Sequence, residues 1–401
     1  MVVKKVLLSH NTLTLIAVAL GVASGMFNDA ALNGAADVIS DTTISLMKLI
    51  AVPLLFLSIV SSSAHFTDFE QIKTLGLRIF KYTILTTLIA ALVAEALYLI
   101  FSPSLLRGSV GKTAQLPETA YGFFDTLLNM VPDNLAGVFL ENNVMAAVVI
   151  AVALAIAILG IKPREREVVF SFFVGMLNAI MRIVHVGLRF LPLAVWAFVS
   201  ILTRQVMNNE TESLNAIGGL TITVIAANLI QGLVVLPALL RFKGIGPIDL
   251  FIKVKEALLV AFFTRSSMAT LPVTLDHAIK DAKISEDVAR LSFPLCTTIN
   301  MNGCAQFILL SVYFVSAFTG NALSAWEHVG MIFLSVTAAI GNAGVPMGCF
   351  FLASSILASK DVPLYLMGSI LPLYTIIDMV ETSLNVWSDV SITKIVDLES
   401  K

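Results

Sequence analysis

The chain has 401 residues, is 57% hydrophobic and 13% charged, carries a formal net charge of −2, and has a mean hydropathy of +0.91. That balance excludes an ordinary water-soluble domain, and without a basic excess a nucleic-acid partner is not expected. The sequence reads as a polytopic membrane protein in contact with a lipid bilayer.

A helix needs about 20 apolar residues to cross a bilayer. Six early stretches qualify in chain order: 11–29, 38–63, 76–102, 142–161, 168–203 and 214–240. Lys4 and Lys5 precede the first, and no small-residue cleavage pattern appears before "FNDAAL", so a retained span is expected there. Two later segments, 249–284 and 327–360, are interrupted near the middle by "TRSSMATLP" and "GNAGVPMG", and each is followed by a span, 287–317 and 364–393. Half-length apolar arms around a small-residue tip suit a re-entrant hairpin, whose irregular backbone is tolerated where protein or water surrounds it. The alternative is a pair of ordinary spans kinked by Gly and Pro, and loop charge does not separate the two because both keep the same parity. With eight crossings, seventeen Lys and Arg fall on one side, against Arg107, Lys112, Arg204 and Lys360 on the other. This bias places both termini in the cytoplasm. Cys296, Cys304 and Cys349 lie in apolar or Gly-rich segments without ligand-like spacing, so neither a disulfide nor a zinc site is expected.

A hairpin followed by a polar span, repeated once, has the logic of inverted-repeat secondary transporters, whose broken helices present N–H groups to anions and carbonyls to sodium. The second of these spans contains "DMVETSLNVWSD". Asp378, Glu381, Thr382, Asn385 and Asp389 fall on one face of a helix. Each ionised carboxylate at bilayer depth costs about 2.5–3.5 kcal/mol on insertion scales, so the stripe needs a cation, an ammonium-bearing substrate or Arg265 as partner. A purely structural network of Arg265, Asp378 and Glu381 is the competing reading.

At these residues the chain resembles the dicarboxylate/amino acid:cation symporters, which include the glutamate and aspartate transporters. "MKLIAVPLLFLSIVSSS" looks like the family's second span, "TRSSMATLPVT" like its first hairpin tip, "PLCTTINMNG" like its unwound seventh span, "GNAGVP" like its second hairpin tip, and the 378–389 stripe like its eighth span. The resemblance implies an all-α fold of eight transmembrane helices plus two re-entrant helical hairpins, a homotrimer, and an elevator mechanism. Residues 1–240 are then the first six spans, with spans 1, 2, 4 and 5 forming the scaffold and spans 3 and 6 moving with the transport domain. Residues 241–401 are the core transport domain, with hairpin 1 (249–284), span 7 (287–317), hairpin 2 (327–360) and span 8 (364–393).

Carried over by position, the resemblance gives Ser267, Gly344, Val345 and Asn385 to the substrate's α-carboxylate, and Asp378 with Thr382 to its α-ammonium. Cys304 stands where a threonine often meets the substrate side chain. A first sodium site draws on Cys296, Asn300, Asn385 and Asp389, and a second on Thr298, Ala339, Ile340 and Asn342. A third, of Thr86, Thr87, Asn300 and Asn302, lacks its carboxylate because Asn302 replaces an aspartate. Glu381 stands where acidic-substrate members have an arginine, and unless protonated it repels an anionic side chain. Its "ET.LN" version of the eighth span is similar to the sodium-dependent serine/threonine branch.

The function expected is sodium-coupled uptake of a small neutral amino acid, serine or threonine first, across the inner membrane of the cell. Glu381 then accepts a substrate hydroxyl or pairs with Arg265. The alternative is sodium- or proton-coupled transport of dicarboxylates or acidic amino acids. No enzyme activity or cofactor is expected. Ser266 and Ser267 have no base beside them in the sequence, and the five histidines carry no motif.

Overall fold

The computed structural model describes residues 10–62, 70–105, 134–140, 144–208, 212–320, 323–342, 347–360, 362 and 364–400. Among these, all regular structure is helical: α1 (His10–Phe27), α2 (Ala30–Ser62), α3 (Glu70–Leu105), α4 (Leu135–Leu140), α5 (Val144–Gly160), α6 (Pro163–Leu188) and α7 (Leu191–Met207). Next, α8 (Glu212–Ile230) runs through a π-helical turn (Gln231–Val235) into α9 (Leu236–Phe242). The interrupted segments give α10 (Pro247–Thr264) with α11 (Ser267–Lys280), and α14 (Ala325–Ile340) with α15 (Gly348–Ser359). Between and after them come α12 (Glu286–Ile299), α13 (Asn302–Phe318) and α16 (Tyr365–Glu399). Four described stretches, Leu75–Phe101, Pro163–Val184, Asn215–Phe242 and Glu286–Phe318, are each long and apolar enough to cross a membrane.

The expected single span over 168–203 is corrected, because it forms two helices that part at Arg189 and Phe190. There the N–H bonds shorten to three-residue steps, Arg189 to Val186 at 3.2 Å and Phe190 to Gly187 at 2.9 Å. Pro192 follows as the second residue of α7, where a missing N–H costs nothing. Pro237 is handled differently. It lies just past the π-helical turn, a wider loop that relaxes the backbone ahead of a residue with no N–H to donate. The Gly232 carbonyl in that turn accepts from Trp387 Nε1 at 3.0 Å, joining the sixth span to α16.

Small residues bring α1 against α7. A Cβ on Gly21 would sit 2.8 Å from the Trp196 carbonyl oxygen, and one on Gly25 2.6 Å from that of Ser200. Between them Ser24 Oγ donates to Ser200 Oγ at 3.0 Å. This Gly-x-x-x-Gly face is a close-approach surface of the kind that holds membrane helices together without a hydrophobic driving force. α14 starts with a capping box, in which Ser324 and Glu327 exchange bonds. The Lys360 ammonium lies 2.8 Å from Glu327, tying the end of α15 back to the start of α14.

The apolar interior forms two clusters, and the boundary between them positions the site. The larger ends at Ile377 on α16 and takes in Met301 and most of α13. The smaller resumes at Leu384 and takes in α12 to Ile299. On α3 the smaller cluster holds Ile79 and Tyr82 and the larger holds Ala91 and Ala94. A polar belt lies between: Thr83, Thr86 and Thr87, Asn300 and Asn302, and Asp378 to Asn385, all with buried members.

At the end of α16, Glu399 meets Lys243 at 2.7 Å and accepts from the Tyr82 hydroxyl. Burial raises the Glu399 carboxyl, but the hydrogen bonds from Lys243 and Tyr82 outweigh it and hold the group below the ordinary glutamate value. The stabilisation is therefore complete above that ordinary value and is lost as pH falls through the lower, folded one. Hydrogen exchange in the last turn of α16, corrected for intrinsic rate, is expected to speed up below about pH 4. In Glu399→Gln it should be fast at neutral pH too.

Candidate functional site

Three helix interruptions carry the site. At the first tip Arg265 closes α10 with φ 54° and ψ 35°, its N–H reaching the Ala261 carbonyl at 2.9 Å. Ser266 then caps α11, its Oγ accepting from the Ala269 N–H at 3.2 Å. This left-handed turn at a residue with a Cβ lets two helices end and begin within two residues. Ser267, buried, opens α11 where backbone N–H groups have no intrahelical acceptor. The second interruption is the non-helical pair Asn300 and Met301 between α12 and α13. The third separates α14 from α15, where Met347 takes φ 60°. Gly348 follows, and a Cβ there would fall 1.7 Å from Asn342 Oδ1, so any larger residue would displace that amide.

One cavity joins these ends. It is lined by Arg265, Ser267, Met301, Cys304, Asn342, Cys349, Asp378, Glu381, Thr382 and Asn385. Every substrate-site residue expected from the sequence lines it except Gly344 and Val345, which lie outside the described residues. Met301, Asn342 and Cys349 are additions to that set. Asn342 was expected as a sodium ligand only, and Cys349 sits just past the second tip, a placement that the "VPMGC" string itself signals.

Asp378, 7% exposed, is hydrogen-bonded by Thr382 and lies within electrostatic reach of the Arg265 guanidinium. Glu381, 1% exposed, has no hydrogen-bond partner among the described residues on either carboxylate oxygen. Its Cα would be 3.0 Å from a Cβ on Gly303, so glycine lets α13 and α16 close on each other here. Asn385 accepts the Gly303 N–H at 2.9 Å and turns its amide nitrogen toward Met301 sulfur at 3.4 Å. The expectation that no cysteines pair is corrected: Cys304 and Cys349, with Cα atoms 5.3 Å apart, are joined by a disulfide. Forty-five residues separate them in sequence, but α13 and α15 pack side by side and bring them together. Asn342 Nδ2 lies over both sulfurs, 3.2 Å from Cys304 and 3.3 Å from Cys349.

Behind the cavity, Asp389 is buried. Asn300 Nδ2 donates to its Oδ1 at 2.8 Å, while Oδ2 has no partner among the described residues. Cys296 is one turn before Asn300 and its carbonyl accepts the Asn300 N–H at 2.8 Å. An orphaned carboxylate oxygen beside helix-end carbonyls suits a hard cation carried as cargo. The residues of the expected third site are held in a different way. Thr87 donates to Asn302 Oδ1 and Asn302 Nδ2 donates to Ser388 Oγ, both at 2.8 Å, and Thr86 reaches Asn300 at 3.4 Å. Both ends of the Asn302 amide are thus satisfied within the protein. For the second site, Ala339, Ile340 and Asn342 sit together where α14 ends, with the Ala339 carbonyl accepting from the Asn342 N–H at 3.0 Å. Thr298 is the next-to-last residue of α12, with its hydroxyl bonded to the Leu295 carbonyl at 2.7 Å. α12 and α14 touch, and neither Thr298 nor Cys296 lines the cavity.

Apolar helices interrupted around a buried, carboxylate-lined cavity are the architecture of a membrane-embedded secondary transporter. The chain belongs to the Sodium:dicarboxylate symporter family, whose model matches residues 11–398. It is similar to the proton/glutamate-aspartate symporter of Escherichia coli (strain K12), 25% identical over 86% of this chain and 81% of the relative. It is also similar to the L-cystine uptake protein TcyP of Bacillus subtilis (strain 168), 28% identical over 86% of this chain and 77% of the relative. The excitatory amino acid transporter 3 of Homo sapiens is 24% identical over 89% of this chain and 78% of its own length. These relatives are transporters, not enzymes.

Proposed function

We propose that the chain is a symporter of acidic amino acids or dicarboxylates, coupled to sodium or protons and driving uptake into the cell. The observation that carries this reading is the match, over 86% of the chain, to a relative named for proton-coupled glutamate and aspartate transport. Arg265 supports it, since a guanidinium in the cavity suits a distal carboxylate. Asp378 and Thr382 hold the α-ammonium, and Ser267, Asn385 and the Gly344–Val345 tip hold the α-carboxylate. Asp389, Cys296, Asn300 and Asn385 take one sodium ion; Thr298, Ala339, Ile340 and Asn342 take another. Residues 241–401 move as the transport domain of an elevator, with spans 3 and 6, against a trimeric scaffold in the inner membrane. Both termini are cytoplasmic.

The second reading is the one first drawn from the sequence, a small neutral amino acid such as serine or threonine. The relatives do not favour it, and one observation does: Glu381 lies in the cavity with neither oxygen hydrogen-bonded among the described residues. Ionised, it repels an anionic side chain and accepts a hydroxyl. Proteoliposomes with imposed sodium or proton gradients separate the two. Labelled aspartate should accumulate and be displaced by glutamate but not by serine. In Glu381→Gln, removal of a like charge should tighten aspartate binding by about tenfold or more. Serine uptake that aspartate leaves untouched, and that Glu381→Gln weakens, would instead establish the neutral reading.

A further inference from the structure

Transport as proposed makes no use of the Cys349 sulfur, and it leaves the Glu381 oxygens without a hydrogen bond. Cys304 Sγ, Cys349 Sγ and a Glu381 carboxylate oxygen all lie within 4.8 Å of one another, on three buried residues from α13, α15 and α16. Asn342, packed on both sulfurs, has an Oδ1 that is buried and has no hydrogen-bond partner among the described residues. Two sulfurs, a carboxylate and a nearby amide oxygen form a donor set for a borderline-soft divalent cation, since thiolate and carboxylate ligands both serve zinc in four-coordinate sites. Hard cations such as sodium are not selected by sulfur. We propose that Cys304, Cys349 and Glu381, with the sulfurs in their dithiol state, bind a thiophilic divalent cation of the zinc or cadmium class inside the cavity.

Opening the site is a balanced exchange. A dithiol or phosphine reductant gives two electrons to the disulfide, two protons complete the thiols, and the reductant leaves oxidised. The cation then displaces both thiol protons and takes two thiolates. Two thiolates and one carboxylate against a divalent ion leave one net negative charge, which Arg265 on the same cavity offsets in part. The bound ion ties α15, the second arm of hairpin 2, to α13 and α16. If this cavity is the substrate site, as proposed above, the ion also occludes it and stops uptake.

The full-length protein, purified in detergent and reduced with a phosphine, is titrated with cadmium chloride alone and followed by the ultraviolet thiolate-to-cadmium charge-transfer band. The band should saturate at a single ion per chain, survive in Cys296→Ser, and vanish in Cys304→Ser, in Cys349→Ser and in oxidised wild type. Glu381→Gln should weaken binding by about tenfold or more, because a lost ligand costs at least what a lost supporting contact does. A reduced wild type with no band overturns the proposal. So does an undiminished band in the double variant Cys304→Ala, Cys349→Ala that keeps its wild-type helical circular dichroism. The titration needs neither substrate nor sodium, so a failed transport reading leaves the band intact. If the metal reading fails, uptake by reduced protein stays insensitive to zinc.

Discussion

Asp378→Asn should lose at least about 30-fold in apparent substrate affinity, because removing one partner of a buried charge pair costs about 2–5 kcal/mol. The carboxylate is buried at the edge of the larger apolar cluster, beside Arg265 and bonded by Thr382. Among the described cavity-lining residues only Glu381 shares its negative charge. Asparagine keeps the volume and removes only the charge, so the fold should tolerate it. Thr382→Val, which deletes a single hydroxyl, should cost about 1 kcal/mol, or roughly fivefold. Uptake kinetics in proteoliposomes read both changes. Wild-type affinity in Asp378→Asn would move the ammonium site elsewhere, with Glu381 the first place to look.

Asp389→Asn should shift the sodium concentration for half-maximal uptake upward by about tenfold or more, on the scale of losing a charged ligand from a buried site. Its Oδ1 is occupied by Asn300 and its Oδ2 is the orphan that a cation would satisfy. Asn302→Ala should disturb sodium activation less, since its amide already bonds Thr87 and Ser388. A sodium titration at fixed substrate compares the two directly. An unmoved curve in Asp389→Asn would exclude that carboxylate as a sodium ligand and leave protons as the coupling ion to test.

Much of the chain's plan was readable in advance because the interruptions are written in Gly, Pro and small polar residues. "TRSSMATLP" marks the end of α10 and start of α11, and "TINMNG" marks the break between α12 and α13. The stripe from Asp378 to Asn385 was legible for the opposite reason, as polarity repeating at helical spacing in an apolar span. The break at Arg189 had one signal, Pro192 just after it, which marks a possible kink but not a division into two helices. The Cys304–Cys349 pair was not legible, since it depends on α13 and α15 lying side by side. Both π-turn contacts, Trp387 to Gly232 and Gln231 Nε2 to the Thr86 carbonyl at 3.0 Å, likewise join residues that no local pattern links.

Arg265 holds its backbone at φ 54°, a conformation that costs a residue bearing a Cβ about 1–2 kcal/mol and costs glycine almost nothing. Arg265 is also the one cation among the described residues lining the cavity. The strain is therefore held in place by the charge it positions. A glycine would relieve it but leave the buried Asp378 without its guanidinium, at about 3–5 kcal/mol, so a screen for heat resistance should keep the arginine as firmly as a screen for uptake.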